Sequence, residues 1–150
     1  MQTQSTIAEV TLHYKSGLKL SELPQIKGSQ SAEVYLRSIW SNKIEHVEEL
    51  YLVLLNRANR VLGYMVHSCG GNNGTCVDPK LLFQAAIKAN AQSIIIAHNH
   101  PSGNIFPSNE DITITKKILA AGKFLEINLQ DHLILTSEDY YSFADSGMLY

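Results

Sequence analysis

Residues 94–111 read IIIAHNHPSGNIFPSNED. Three isoleucines run into His98 and His100. A Pro101-Ser102-Gly103 turn follows, and Pro107, Ser108 and Asp111 close the stretch. A short, wholly apolar run rich in β-branched residues marks a strand buried on both faces, so a strand is predicted over 93–98. Pro-Ser-Gly is turn chemistry. Ser108 suits a helix cap with Asp111 in the first turn, where the helix dipole favours an acid. The spacing predicts a helix over 109–121, stopped by Gly122.

The same residues carry chemistry. If the chain stays extended through Asn99, the alternation of a strand puts His98 and His100 on one side. Two imidazoles on one side grip one transition metal, and a zinc site needs a third ligand plus an open position for water. Asp111 is the natural third ligand. The turn and Pro107 reverse the chain, and side chains in a helix lean toward its N-terminus. Each piece alone has an ordinary explanation: a core histidine pair, a cap, a turn. Together, in this order between a buried strand and a helix, they favour a site.

Outward from this stretch, residues 49–55 form a nearly continuous apolar run, Asn56 to Asn59 a turn, and 60–68 a second strand, giving a hairpin that feeds a central sheet. Ser31 is a candidate cap for a helix reaching about residue 42. Asp78 before Pro79 starts another helix that runs to about residue 90. A short strand is expected at 75–77, two more from FLEINLQ and DHLILT, and a last helix over 138–145 after Ser137. Residues 7–14 alternate imperfectly and suggest an edge strand within an irregular arm, 1–30, ahead of a domain over 31–150. The fold class is α/β of α+β type: a mixed central sheet flanked by helices.

Composition sets the limits. The chain has 150 residues, 45% hydrophobic and 17% charged, which suits one globular domain. A net charge of -2 offers no broad attraction to nucleic acid. Cys69 and Cys76 read as free thiols of a reducing compartment. No secretory signal or membrane-spanning run is visible, so a cytoplasmic location without a membrane is expected.

H-x-H, seven residues, then S-x-x-D is the signature of the JAB/MPN (JAMM) metalloproteases, and His98, His100, Ser108 and Asp111 match its spacing. The surrounding AHNHPSG, the NRANRV turn, the VDP helix start and the LQDHLIL strand resemble the RadC-like branch over roughly residues 30–150. The resemblance implies an MPN/JAB-like domain of cytidine-deaminase-like architecture, in a short form lacking the helix-hairpin-helix region of larger RadC proteins. It implies one Zn2+ per chain held by His98, His100 and Asp111, with water as the fourth ligand. It implies that Ser108 steadies an oxyanion, and that an upstream glutamate acts as general acid/base. Two glutamates compete for that place. Glu48 matches the family position better than Glu49, and in a strand the two face opposite ways. His132 is an alternative candidate that orients a ligand, or a satisfied core histidine; Ser102 is another, with turn duty as its plainer role.

The activity so implied is a zinc-dependent peptidase or isopeptidase acting on a peptide or isopeptide. The alternative is a DNA-repair-associated protein or metal-dependent nuclease. That alternative is motivated by the historic association of RadC-like proteins with DNA repair, and the charge does not support it. A non-catalytic scaffold is the third reading, and the complete ligand set argues against it.

Overall fold

A computed structural model describes residues 8–69 and 77–150. Five strands form one mixed sheet in the order β2-β1-β3-β4-β5. These are β1 (Glu49–Leu55), β2 (Val61–Cys69), β3 (Ser93–Asn99), β4 (Asn128–Leu135) and β5 (Tyr140–Ser142). The helices are α1 (Ser29–Ile39), α2 (Pro79–Lys88) and α3 (Asn109–Leu125). Only the β3–β4 pair is parallel among these strands, and α3 is the connection between them. The C-terminal end of β3, the central strand, and the N-terminus of α3 therefore meet beyond the carboxyl ends of the parallel strands, the usual place for a ligand in such a sheet.

Strand alternation sorts the core into two layers. Leu50, Leu52, Leu54, Ile94 and Ile96 pack with Leu82, Phe83 and Ala86 of α2 and Ile118 of α3. Tyr51, Val53, Leu55, Ile95, Ala97, Leu133 and Leu135 pack on the other face with Ala32 and Leu36 of α1. Both faces of β1 and β3 are covered, which is why these strands are continuous apolar runs. Asp78 caps α2 by accepting from the Lys80 N–H at 2.9 Å, ahead of Pro79.

Several local expectations are corrected. Residues 8–14 form no strand, while Ile7 lies outside the described residues. Instead the arm is tied down further along, where Gln25 bridges Arg60 and the Arg60 guanidinium donates to the Leu23 carbonyl. The first helix begins after Gly28, two residues before Ser31; the Ser31 hydroxyl reaches back to accept from the Gly28 and Lys27 N–H groups. Gly122 does not stop α3. It is buried within the helix, and it is glycine because a Cβ there would sit 2.4 Å from the Ile127 carbonyl oxygen. The helix ends at Glu126, in the left-handed region at φ 58°.

Phe124 and Leu125 thus belong to α3, and the two strands expected from FLEINLQ and DHLILT are the single strand β4. The expected last helix is absent among the described residues. The Thr136 hydroxyl accepts from the Asp139 N–H in a turn that pairs Leu135 with Tyr140, so 140–142 continues the sheet. Of the strand expected at 75–77, residues 75 and 76 lie outside the described residues with Cys76, and Val77 is not in a strand.

Candidate metal centre

His98 is the last residue but one of the buried strand β3, and its side chain is 3% exposed. The backbone N–H of His100 donates to the Leu135 carbonyl at 2.9 Å, which prolongs the ladder with β4 past the strand end. The two side chains consequently stay on one side, with their Nε2 atoms 3.0 Å apart. A turn closes at once: the Gly103 N–H donates to the His100 carbonyl, and Gly103 sits at φ 83°, a conformation that favours glycine. The Asn104 carbonyl then lies 2.6 Å from His100 Nδ1 and accepts its proton, leaving Nε2 as a lone pair facing the site.

Asp111 is delivered by the start of α3. The Ser108 hydroxyl accepts from the Asp111 N–H at 3.1 Å, and Asp111 Oδ2 accepts from the Ser108 N–H at 2.8 Å. That reciprocal cap fixes the carboxylate. Its Oδ1 lies 3.2 Å from His98 Nε2 and its Oδ2 lies 3.4 Å from His100 Nε2. Burial alone would push the Asp111 carboxyl up, but the two histidines and the Ser108 N–H hold it well below the usual carboxylate range. His100 is raised, chiefly by its contact with Asp111.

The donor set fits a metal. In a tetrahedral site with ligands about 2.0–2.1 Å from the ion, neighbouring donors stand about 3.3 Å apart. The two Nε2 atoms stand 3.0 Å apart, and the Asp111 carboxylate meets them at 3.2 and 3.4 Å, one oxygen to each histidine.

Glu48 and Glu49 separate by strand alternation. Glu48 Oε1 lies 3.9 Å from His98 Nε2, and the donor atoms of Glu48, His98 and His100 all fall within 4.8 Å of one another. Glu49 faces the α1 layer, where it is buried and its carboxylate accepts from the Ser41 hydroxyl at 2.5 Å. Cavities of about 140 and 420 Å³ meet at Glu48. The smaller is lined by Leu50, Val77, Ile114 and His132, the larger by His100, Pro101, Phe106 and Ser108. Ser102 lines the larger cavity, and its hydroxyl accepts from the Asn104 N–H at 3.4 Å, a turn contact.

His132 on β4 is fully buried behind His98, its Nε2 2.7 Å from His98 Nδ1. Burial lowers its pKa well below the ordinary histidine value, with the neighbouring His98 adding to the effect.

Asn99, the residue between the histidines, is one that sequence reasoning passed over. Its side chain points to the opposite layer, where Oδ1 accepts from the Glu49 N–H at 2.7 Å and Nδ2 donates to the Ile44 and Val47 carbonyls, both at 2.8 Å. It thereby holds the backbone on both sides of Glu48. Its sole local signal is an amide in a run otherwise apolar enough to be buried.

A family model described as a RadC-like JAB domain matches residues 26–148. The chain belongs to the RadC-like JAB family. Among its relatives, a UPF0758 protein of Flavobacterium johnsoniae is 40% identical over 127 residues, covering 85% of this chain and 55% of the relative. A UPF0758 protein of Chlorobaculum tepidum is 33% identical over 138 residues, covering 92% and 60%. One from Clostridium perfringens is 37% identical over 131 residues, covering 87% and 58%. This JAB domain chain thus spans a little over half the length of these relatives. A family of this kind, with a Glu, His, His group able to hold a metal ion, fits a metal-dependent hydrolase. No helix among the described residues is long and apolar enough to cross a membrane.

Proposed function

We propose that this JAB domain is a zinc-dependent hydrolase that cuts an amide bond, a peptidase or isopeptidase. The observation that carries the reading is the convergence of His98 Nε2, His100 Nε2 and the Asp111 carboxylate at tetrahedral spacing with Glu48 beside them. His98, His100 and Asp111 would hold the zinc. Zinc so held supplies Lewis acidity, which makes water a nucleophile near neutral pH.

The chain's own groups do the rest. Glu48 borders both cavities, so its carboxylate reaches a water on one side and a substrate on the other. It takes a proton from water as the new C–O bond forms at the amide carbon. It returns that proton to the leaving nitrogen as the C–N bond breaks. Ser108 lines the same cavity as Glu48 and His100, and its hydroxyl proton is the donor proposed for the oxyanion. Among the described residues a single cluster of candidate ligands is found, and the net charge is -2. Both weigh against a nuclease, whose phosphodiester chemistry draws on two metals and a basic surface.

The test is metal analysis of purified protein, then peptide, isopeptide and DNA cleavage assays on wild type, His100→Ala and Glu48→Gln. Expected are near-stoichiometric zinc in wild type, its loss in His100→Ala, and retention in Glu48→Gln with turnover down about 10²–10⁴-fold. Zinc-replete wild type that holds no metal, or DNA cleavage without any amide cleavage, would overturn the reading.

A further inference from the structure

Behind His98 a chain of short hydrogen bonds runs back to another residue of the site. His98 Nδ1 is 2.7 Å from His132 Nε2, and His132 Nδ1 is 2.6 Å from the Thr115 hydroxyl. That hydroxyl is 2.6 Å from the backbone carbonyl of Asp111, one turn earlier on α3. His98, His132 and Thr115 are all buried.

A neutral imidazole carries one N–H, and a hydroxyl carries one proton. The chain therefore has two self-consistent arrangements. In the first, Thr115 donates to the Asp111 carbonyl and accepts from His132 Nδ1–H. His132 Nε2 then accepts from His98 Nδ1–H, and His98 Nε2 is a bare lone pair. In the second, Thr115 donates to His132 Nδ1, His132 Nε2–H donates to His98 Nδ1, and the His98 proton sits on Nε2. The first alone offers a ligand at Nε2. A cation held among His98 Nε2, His100 Nε2 and the Asp111 carboxylate would satisfy the bare Nε2 of the first arrangement, and the Asp111 carbonyl then decides between the two. It has no proton to give, so the second arrangement would leave two bare oxygens 2.6 Å apart. The ring of His132 cannot easily turn to escape the choice, because Phe143 stacks on it at 4.6 Å and 8°.

We propose that Thr115 and His132 are positioning residues that lock His98 in the Nδ1–H tautomer, with the Thr115 hydroxyl as the group that sets the direction of the chain. The proposal rests on the reading of His98 as a metal ligand. It gives Thr115 a purpose that its neighbour lacks: Thr113 bonds back to the Asn109 carbonyl in the same way, but on the exposed side of α3.

The experiment uses Thr115→Val, which keeps the shape and removes the hydroxyl, and Thr115→Ser, which restores it. Zinc affinity is measured by competition with a chromophoric chelator, and melting confirms folding. Thr115→Val should bind zinc about 10–100-fold more weakly, and Thr115→Ser within about threefold of wild type. In zinc-loaded wild type, ¹⁵N–¹H correlation spectra of the imidazoles should place the protons of His98 and His132 on Nδ1. A folded Thr115→Val with wild-type affinity, or Thr115→Ser as weak as Thr115→Val, overturns the proposal and leaves the metal centre standing. If Thr115→Val does not fold, the wild-type spectrum decides: a His132 proton on Nε2 overturns the lock. Wild type that binds no zinc removes the metal centre itself.

Discussion

Replacing Asn99 by aspartate changes one NH2 to one oxygen and almost nothing in shape. Asn99 is wholly buried, and its amide makes three hydrogen bonds: one accepted from the Glu49 N–H and two donated, to the Ile44 and Val47 carbonyls. Aspartate keeps the first. It loses the other two and sets an oxygen against each carbonyl. A buried acceptor left without its donor costs about 1–3 kcal/mol, so the two together cost about 2–6 kcal/mol. At about 2–4 °C per kcal/mol for a chain of this size, melting should fall by roughly 4–24 °C.

The sign of the pH dependence follows. A proton on the introduced carboxyl restores one donor, so its folded pKa lies above the unfolded value. The deficit relative to wild type should therefore shrink as pH falls toward about 4 and be fullest at pH 7. Urea denaturation of both proteins at several pH values measures this. The consequence for the site is separate: Val47 and Glu49 flank Glu48, so releasing them should lower turnover more than zinc content. A deficit under about 1 kcal/mol at pH 7, or one that grows on acidification, would refute the account of Asn99 as the clamp on this segment.

The other expectations test the frame. Gly122→Ala places a Cβ against the Ile127 carbonyl, a backbone atom that cannot swing away, and should cost about 1–3 kcal/mol in urea denaturation; a neutral result would mean that α3 and β4 do not approach as described. Leu52→Ala removes a fully buried side chain from the α2/α3 layer and should cost about 2–5 kcal/mol while leaving zinc content intact. Asp131 is raised above 3.8, mainly by burial, although the Ser142 hydroxyl and the Ala144 and His132 N–H groups partly offset that. The folded state thus holds its proton more tightly than the unfolded one. Stability from this group falls as pH rises from about 3.8 through the raised value and is level above it. Asp131→Asn should flatten that part of the stability profile, and an unchanged slope would count against the assignment.

What could be read from the sequence, and what could not, divides by the range of the interaction. The helix start at Asp78-Pro79 and the buried strand through Ile94–Ile96 are legible because their causes lie within a few residues: a cap, a proline, an unbroken apolar run. The ends at which structure and sequence pattern differ have distant causes. Gly122 reads as a stop, yet it is glycine because Ile127 folds back on it after the helix has ended. Ser137 and Asp139 carry cap chemistry that serves equally well in a tight turn, and only the pairing of Leu135 with Tyr140 shows which. Phe124 looks like strand core and is 89% exposed on α3.

The site shows the same division within a few residues. His98, His100, Ser108 and Asp111 stand out in the sequence because one turn joins their elements, so fixed spacing goes with fixed geometry. The groups that make them usable do not stand out, because their partners are remote. Asn99 reaches the Glu49 N–H across 50 residues, and His132 meets Thr115 across 17 and His98 across 34. Alternation is the bridge between the two ranges. It sends His98 and His100 to one face of β3 and Asn99 to the other, and it sends Leu50 and Glu49 the same two ways on the paired strand. One short segment thus presents His98 and His100 on one face while clamping, from the other, the backbone that carries Glu48. Which of Glu48 and Glu49 faces the histidines then depends less on either glutamate than on the asparagine between the histidines.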